Sequence, residues 1–118
     1  MLQSERRRRL KLIIAIVQDE DASRLINSFM NEGISVTKLA TTGGFLRSGN
    51  TTLLIGVDES KTEQVLGIIE RVCKSRKQTT TVTPSMSGAT GVYVPYPIEV
   101  TVGGATVFVL DVEQFVKY

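Results

Sequence analysis

Residues 41–52 hold the residue types of this sequence that are best suited to binding chemistry. They read TTGGFLRSGNTT, with three glycines, one arginine and five hydroxyl side chains around an isolated Phe45-Leu46 pair. Glycines let successive backbone amides approach a phosphate because no Cβ intervenes, and Phe45 offers a flat surface on which a base can stack. The segment predicts a nucleotide-binding loop. A glycine-rich hairpin loop with Phe45 packed into its own core would have the same composition.

The rest of the residue inventory argues against most catalytic and metal chemistry. The chain has no His and a single Cys, Cys73, so it has no imidazole base or ligand and cannot form a cysteine-based metal site or an intrachain disulfide. Cys73 falls on the apolar stripe of a predicted helix and is expected in the core. The run Asp19-Glu20-Asp21 has the composition of a cation site, but such residues more often stabilise a helix N-terminus. We expect no enzymatic activity, no metal and no cofactor.

The net charge of +2 comes from one terminal segment rather than from the body of the chain. Lys and Arg number 14 against 12 Asp and Glu, but four arginines stand together at residues 6–9. Residues 10–118 hold 10 basic and 11 acidic residues, which does not suit a surface that binds a nucleic acid polymer or an anionic membrane. We interpret residues 1–9 as a disordered, non-native leader and residues 10–118 as a single domain.

The same counts bear on location. The single Cys favours a reducing compartment, no apolar run approaches the ~18–20 residues of a membrane span, and residues 10–17 lack the following cleavage site of a signal peptide. We therefore expect a cytoplasmic protein.

The body divides into two halves with the same predicted order of elements. In the first half, residues 10–17 (LKLIIAIV) have the short, Ile- and Val-rich profile of a strand buried on both faces, and residues 34–41 are expected to form a second strand. An amphipathic helix lies between them, and Gly33 follows it where a left-handed C-cap favours glycine. The apolar positions of this helix are Ala22, Leu25, Ile26, Phe29 and Met30.

The second half repeats the order, with strands at residues 51–57 and 78–83. Ser60 and Glu63 have the spacing of a capping box, with Ser60 as the N-cap of the second helix. Its apolar stripe consists of Val65, Leu66, Ile69, Val72 and Cys73. Two successive βαβ units predict an α+β, ferredoxin-like fold with both helices on one face of an antiparallel sheet.

The C-terminal third adds elements beyond that core. Residues 84–94 predict a long loop, a feature that is often functional in a compact domain. Residues 98–102 and 105–110 flank Gly103-Gly104 and predict a β-hairpin. Residues 111–115 are expected to add a final helical turn.

Four long stretches carry a family pattern: KLIIAIVQDED, VTKLATTGGFLRSGNTTLLIGV, YVPYPIEV and GGATVFVLDVEQF. They resemble the PII-like cyclic-di-AMP receptor proteins of Gram-positive bacteria over about residues 10–115. The resemblance implies a ferredoxin-like, PII-like protomer that assembles into a homotrimer, with one cyclic di-AMP in each cleft between neighbouring subunits. It also implies a cytosolic signal-transduction receptor without catalytic activity, whose long loops rearrange on binding and meet an unidentified downstream protein.

The resemblance implies, by position, which residues bind the ligand. The loop residues that contact the base and the ligand backbone are Gly44, Phe45 and Leu46. Thr37 and Asn50 donate hydrogen bonds to the ligand. Gly56 permits close approach, and Phe108 packs an adenine from the adjacent subunit. Further ligand-binding positions are Thr41, Gly43, Arg47 and Lys117.

Three positions depart from the family pattern. Where relatives often have an Asn and an Arg shortly before the threonine that matches Thr37, this chain has Gly33 and Ser35, and it has Lys117 where an amide side chain is often found. Loss of an Arg near a dianionic ligand removes a charge-assisted bond of ~1.5–3 kcal/mol, or about one to two decades of affinity. Lys117 and Arg47 are the candidates to compensate, and the departures bear on affinity more than on ligand class.

Two other functional classes are left open by the residues. The nearest is a PII-like sensor of ATP or another adenine nucleotide. A small nucleotide-processing enzyme is the second, with Asp19, Asp58 or Lys38 as its base. A single-stranded RNA module is disfavoured, because the strands at residues 10–17 and 51–57 carry none of the aromatic side chains on which bases stack.

Overall fold

The computed structural model describes residues 9–39, 49–82 and 95–118. These residues form six strands and two helices. In chain order they are β1 (Leu10–Gln18), α1 (Asp19–Asn31), β2 (Thr37–Lys38), β3 (Asn50–Asp58), α2 (Thr62–Cys73), β4 (Arg76–Val82), β5 (Tyr96–Val102) and β6 (Ala105–Asp111), with a 3-10 turn (Glu59–Lys61) before α2.

Four of the strands form an antiparallel sheet in the order β2-β3-β1-β6. Alternate side chains of a strand point to opposite faces, and in β1 and β3 one set is buried against the helices. The prediction that β1 is buried on both faces is wrong, because its other set is only partly buried. Ile13 pairs with Ile55 and Ala15 with Leu53, and all four are fully buried. The helices complete this core with Ala22, Leu25, Phe29, Val65, Ile68, Ile69, Val72 and Cys73. The predicted α+β, ferredoxin-like arrangement and the core position of Cys73 are confirmed.

The two C-terminal strands lie where the sequence predicts them, but the predicted hairpin between them is wrong. β5 pairs with β4 in a separate two-stranded ribbon, whereas β6 pairs with β1 at the edge of the main sheet. Gly103 and Gly104 have φ of +86° and +99°, so the chain does turn there, but it passes from the ribbon to the sheet. The physical reason is composition: β6 (ATVFVLD) supplies Val107 to the core edge, whereas β4 (RKQTTTV) is polar.

The helix ends differ in how well the sequence predicts them. After α1, Gly33 has φ +76°, and Gly33 N–H and Ile34 N–H donate to the carbonyls of Met30 and Phe29 at 3.0 and 2.8 Å. This is the Schellman pattern, so the left-handed C-cap is confirmed.

The predicted capping box at the start of α2 is wrong. Asp58, not Ser60, caps the turn, because its carboxylate accepts from both the backbone N–H and the hydroxyl of Ser60, at 2.9 and 2.7 Å. The 3-10 turn delays α2 to Thr62, and Lys61 at its N-cap makes no side-chain capping bond.

Three further segments depart from expectation or lie outside the described residues. β2 is shorter than predicted, only Thr37–Lys38, and residues 40–48 and the predicted loop at 84–94 fall outside the described ranges. No helical turn forms at residues 111–115. Instead β6 extends to Asp111, which pairs with Lys11, and Val112 N–H donates to the Leu10 carbonyl at 3.1 Å, so the β1 edge holds this segment extended.

Candidate functional site

The structure describes five of the residues that the sequence assigns to ligand binding. Thr37, Asn50, Gly56, Phe108 and Lys117 lie within the described ranges. Thr41, Gly43, Gly44, Phe45, Leu46 and Arg47 lie outside them.

Thr37 and Phe108 belong to one row of side chains that crosses the whole sheet. In the strand register Thr37 pairs with Leu54, Leu54 with Ile14, and Ile14 with Phe108. Directly opposed residues of an antiparallel pair project to the same face. This is the side of the sheet away from the helices, which we call the open face.

Asn50 and Gly56 lie on the open face as well. They are separated from Leu54 by even numbers of residues along β3, so they share its face. Gly56 pairs with Leu12 of β1 and is exposed, and a Cβ added there would meet nothing within 4 Å. Four of the predicted positions therefore share one surface, with open space above Gly56.

The open face is apolar although no described element covers it. Leu12, Ile14, Ile16 and Leu54 are only partly buried there, and Phe108 is 52% exposed. Contiguous exposed apolar surface of this kind marks an interaction site on a protein surface.

Thr37 and Phe108 do not converge within one chain. They occupy the two edge strands, three inter-strand spacings apart, which is about 14 Å at ~4.8 Å per spacing. Lys117 is exposed in the C-terminal segment after β6, which has no regular secondary structure, and Ser35 is exposed before β2.

The start of β3 is tied to the start of α1 through Asp19. Asp19 N–H donates to the Gly49 carbonyl at 2.9 Å, and the Thr51 hydroxyl donates to the Asp19 carboxylate. A Cβ at Gly49 would lie 2.5 Å from Asp19 Oδ2, so the glycine permits this close approach. Asn50, between these anchors, is thereby held at the edge of the open face.

The same junction also binds the base of the β4–β5 ribbon. The carboxylate of Asp21, only 1% exposed, accepts from Arg24 Nη2 and Arg76 Nη2, both at 2.9 Å, and Gln18 Oε1 accepts from Gly103 N–H at 2.8 Å. The hydrogen bond from Arg76 lowers the pKa of Asp21 against the opposing effect of burial, with a further contribution from Arg24. The bond to Asp21 raises the pKa of Arg76.

Sequence reasoning missed this role of the acidic run. Asp19 and Glu20 do stand in the first turn of α1, but Asp21 is an ion-pair centre inside the fold rather than a helix-end charge. A signal was present, because Asp21 lies four and eight residues before Leu25 and Phe29, in line with the apolar stripe. An acid on the buried face of a helix requires a cationic partner.

Comparison with known proteins agrees with this architecture. A model of the cyclic-di-AMP receptor family matches residues 10–118. The crystal structure of a functionally unknown protein from Pediococcus pentosaceus ATCC 25745 is 47% identical with a TM-score of 0.73, covering 94% of this chain and 99% of that one.

Two more distant structures share the fold. PII from Arabidopsis thaliana, bound to citrate, is 17% identical with a TM-score of 0.52 and coverage of 89% and 78%. GlnK from B. subtilis is 14% identical with a TM-score of 0.53 and coverage of 89% and 86%. Neither α1 nor α2, the two helices of the described ranges, has the length and apolar character that crossing a bilayer requires.

Proposed function

This chain belongs to the cyclic-di-AMP receptor family, and from that premise we propose that it binds cyclic di-AMP between subunits of a homotrimer and reports the ligand to a protein partner. The observation that carries the proposal is the open face, on which Thr37, Asn50, Gly56 and Phe108 share one apolar surface. Membership of the family assigns a nucleotide-sensing role in signalling. The site, the assembly and the partner are the parts proposed here.

The separation of Thr37 and Phe108 favours a site built from two chains. About 14 Å separates the two edge strands, so the edge of one subunit that carries Phe108 would face the Thr37 edge of its neighbour across the ligand. Packing of open faces against one another would bury Leu12, Ile14 and Leu54, which a single chain leaves partly exposed. Removal of such surface from water contributes ~25 cal/mol per Å² and would drive the assembly.

In the cleft between subunits, stacking and neutral hydrogen bonds would both contribute to the free energy of binding. An adenine stacked on Phe108 contributes ~1–3 kcal/mol. Thr37 and Asn50 would donate to the phosphates, Gly56 would leave room for the ligand, and residues 41–47 would add amides and the Phe45 ring.

The junction at residues 18–21 is the route by which binding would reach a partner. Asp19 holds Gly49 and Thr51 at one end of the ligand loop, and Asp21 holds Arg76 at the base of the β4–β5 ribbon. A shift of Asn50 on binding would move Asp19 and, two residues further along α1, Asp21. The segments 41–50 and 83–95 would then change the surface that a partner meets.

The test is isothermal titration of the purified protein with cyclic di-AMP, in parallel with cyclic di-GMP and ATP. Phe108→Ala should weaken binding about 5- to 150-fold, the equivalent of the lost stacking. Phe115→Ala is the matched control, because Phe115 is also an exposed Phe but lies outside the sheet, and it should bind as the wild type does. Phe45→Ala should weaken binding with the trimer intact.

A second variant separates binding from folding. Gly56→Val adds a side chain that meets nothing within 4 Å of its Cβ inside the chain and suits a strand, so stability should hold while the added side chain blocks the ligand. Unchanged affinity in both Phe108→Ala and Gly56→Val would refute the open-face site. A monomer by light scattering would refute the trimer.

The titration also decides between the proposed receptor and its alternatives. Tighter binding of ATP than of cyclic di-AMP would assign the protein to adenine-nucleotide sensing, and turnover of either nucleotide by the pure protein would identify an enzyme. We propose neither of these alternatives. The cytoplasmic location and the non-native leader at residues 1–9 stay predictions from the sequence.

A further inference from the structure

A basic cleft lies where the C-terminal end of α2 meets α1 and the start of β4. It has a volume of about 240 Å³ and is lined by Arg24, Arg71, Val72, Lys74, Ser75 and Arg76. Four of the 10 basic residues in residues 10–118 are gathered here. We infer that this basic cleft is a docking surface for an acidic segment of a partner protein.

The positive charge of the basic cleft is only partly balanced within the described ranges. Asp21 pairs with Arg24 and Arg76, whereas the exposed Arg71 and Lys74 form no ion pair with any described residue. Glu20 lies close enough to act electrostatically on Arg76, but neither Glu20 nor Glu70 forms an ion pair with a cleft residue in those ranges. Four cations against the carboxylates of Asp21 and Glu20 still leave an excess that an acidic partner would complement.

Two of the cations are held in fixed positions before any partner arrives. Both short bonds to Asp21 are 2.9 Å. Arg24 Nη2 also donates to the Val72 carbonyl at 3.2 Å, and Arg76 Nη1 donates to the Lys74 carbonyl at 3.1 Å. Their side chains remain 58% and 39% exposed, so the guanidinium groups are oriented yet accessible. Pre-orientation lowers the entropy lost when a carboxylate binds.

The form of the basic cleft favours an acidic segment over a small free anion. It lies at the C-terminal end of α2, where the helix presents carbonyls rather than the free amides that would hold one small anion, and where the negative end of the dipole weakens the binding of any single carboxylate. Each exposed ion pair contributes little alone, so affinity requires several carboxylates spread over the cleft, as a peptide supplies them.

An apolar groove adjoins the basic cleft and adds a second requirement for the partner. The groove has a volume of about 360 Å³ and shares Lys74 and Ser75 with the basic cleft. Its apolar lining includes Leu66, Ile69, Cys73, Ala105 and Val107. The matching segment therefore carries apolar side chains next to its acidic ones.

This inference rests on the proposed function only in that a signalling receptor has a protein partner. The basic cleft lies on the helix side of the sheet, so packing of open faces into a trimer would leave it accessible. Ala105 and Val107 of the apolar groove stand on β6, the edge proposed to face a neighbouring subunit, so the charge reversals in the test address the basic cleft alone. Its test is made without cyclic di-AMP, and its failure is therefore distinguishable from failure of the ligand site.

The experiment measures fluorescence anisotropy of a fluorescein-labelled peptide in which a Leu-Leu pair is flanked by Glu residues. The peptide should bind the full chain and weaken as ionic strength rises from about 0.02 to about 0.15 M. Lys74→Glu and Arg71→Glu should each weaken binding at least about fivefold, because attraction becomes repulsion. Lys61→Glu is the matched control, since Lys61 is exposed and forms no ion pair with a described residue, and it should change binding less than about twofold.

Three outcomes would overturn the docking surface. The first is an equal loss of peptide affinity in Lys61→Glu and Lys74→Glu, which indicates attraction to the whole molecule. The second is equal binding of a peptide with Gln in place of Glu. The third is displacement of the peptide by low millimolar inorganic phosphate at constant ionic strength, which indicates a small-anion site. Circular dichroism and the cyclic di-AMP titration of each variant report whether its fold and ligand site are intact. If the protein binds the peptide but does not bind cyclic di-AMP, the proposed function is refuted and the docking surface is not.

Discussion

Replacing Asp21 with Asn is expected to destabilise the domain, because the Asp21 carboxylate joins α1 to the base of the β4–β5 ribbon. It is 1% exposed, and Arg24 and Arg76 both donate to its Oδ1 at 2.9 Å. Asn has the same shape and can keep an oxygen at that position. What it removes is the negative charge between two cations, and it turns an amide N–H₂ toward Arg76 Nη1, which lies 3.4 Å from Oδ2.

The size of the effect follows from how exposed the partners are. Hydrogen bonds to charged groups contribute ~1.5–3 kcal/mol, and breaking a fully buried ion pair costs ~3–5 kcal/mol. Here Arg24 and Arg76 are 58% and 39% exposed, so water takes over part of their solvation. We expect a loss of ~1–2 kcal/mol, or a melting temperature lower by roughly 4–8 °C for a domain of this size.

The pH dependence of this loss has a definite sign. The hydrogen bond from Arg76 holds the pKa of Asp21 below its ordinary value of 3.8. A carboxyl with a depressed pKa stabilises the fold fully above its unfolded pKa, ~3.9, and the stabilisation disappears as pH falls through the folded pKa. The difference between wild type and Asp21→Asn should be constant from about pH 5 to about pH 8 and shrink below about pH 4.

Urea denaturation followed by circular dichroism measures the difference in free energy of unfolding between wild type and Asp21→Asn. The two proteins are compared at equal concentration, because assembly shifts the apparent stability. Asp111→Asn is the matched control. Asp111 is also in an ion pair, with Lys11, but the Asp111 side chain is 85% exposed, and exposed pairs contribute little to stability. Equal destabilisation by the two variants, or a loss in Asp21→Asn that persists unchanged at about pH 3, would show that charge in the Asp21 cluster does not support the fold.

Two further predictions concern single positions. Gly103→Ala should destabilise the fold by at least ~1–2 kcal/mol, because Gly103 has φ +86° and the new Cβ would lie 2.8 Å from the Lys74 carbonyl oxygen. Gly67→Ala, at an exposed helix position with open space around the Cβ, should instead stabilise the fold by ~0.5–1 kcal/mol. The midpoint of urea unfolding measures both changes. Burial raises the pKa of the Cys73 thiol to about 11, so iodoacetamide should leave the native protein unlabelled at neutral pH and label it in urea, whereas rapid native labelling would contradict the core position of Cys73.

The residues proposed to bind the ligand were assigned by resemblance, and strand periodicity explains why those of β3 share one face. Asn50 and Gly56 fall on the open face because even spacing along β3 places them there, and the register adds Thr37 and Phe108 to the same face. The Asp21 cluster was not predictable in the same way. Arg76 is 55 residues from Asp21 in the chain, and no local pattern indicates which cation will approach a buried acid.

The type and position of most elements follow from the sequence, because they depend on local patterns. Short apolar runs mark β1 and β3, a 3.6-residue stripe marks α1 and α2, and Gly33 marks the end of α1. Which strands pair depends on tertiary packing, because backbone ladder bonds are alike for all strands. β6 lies beside β1, where its Val107 packs against the core, and β5 is left to join β4 in the ribbon.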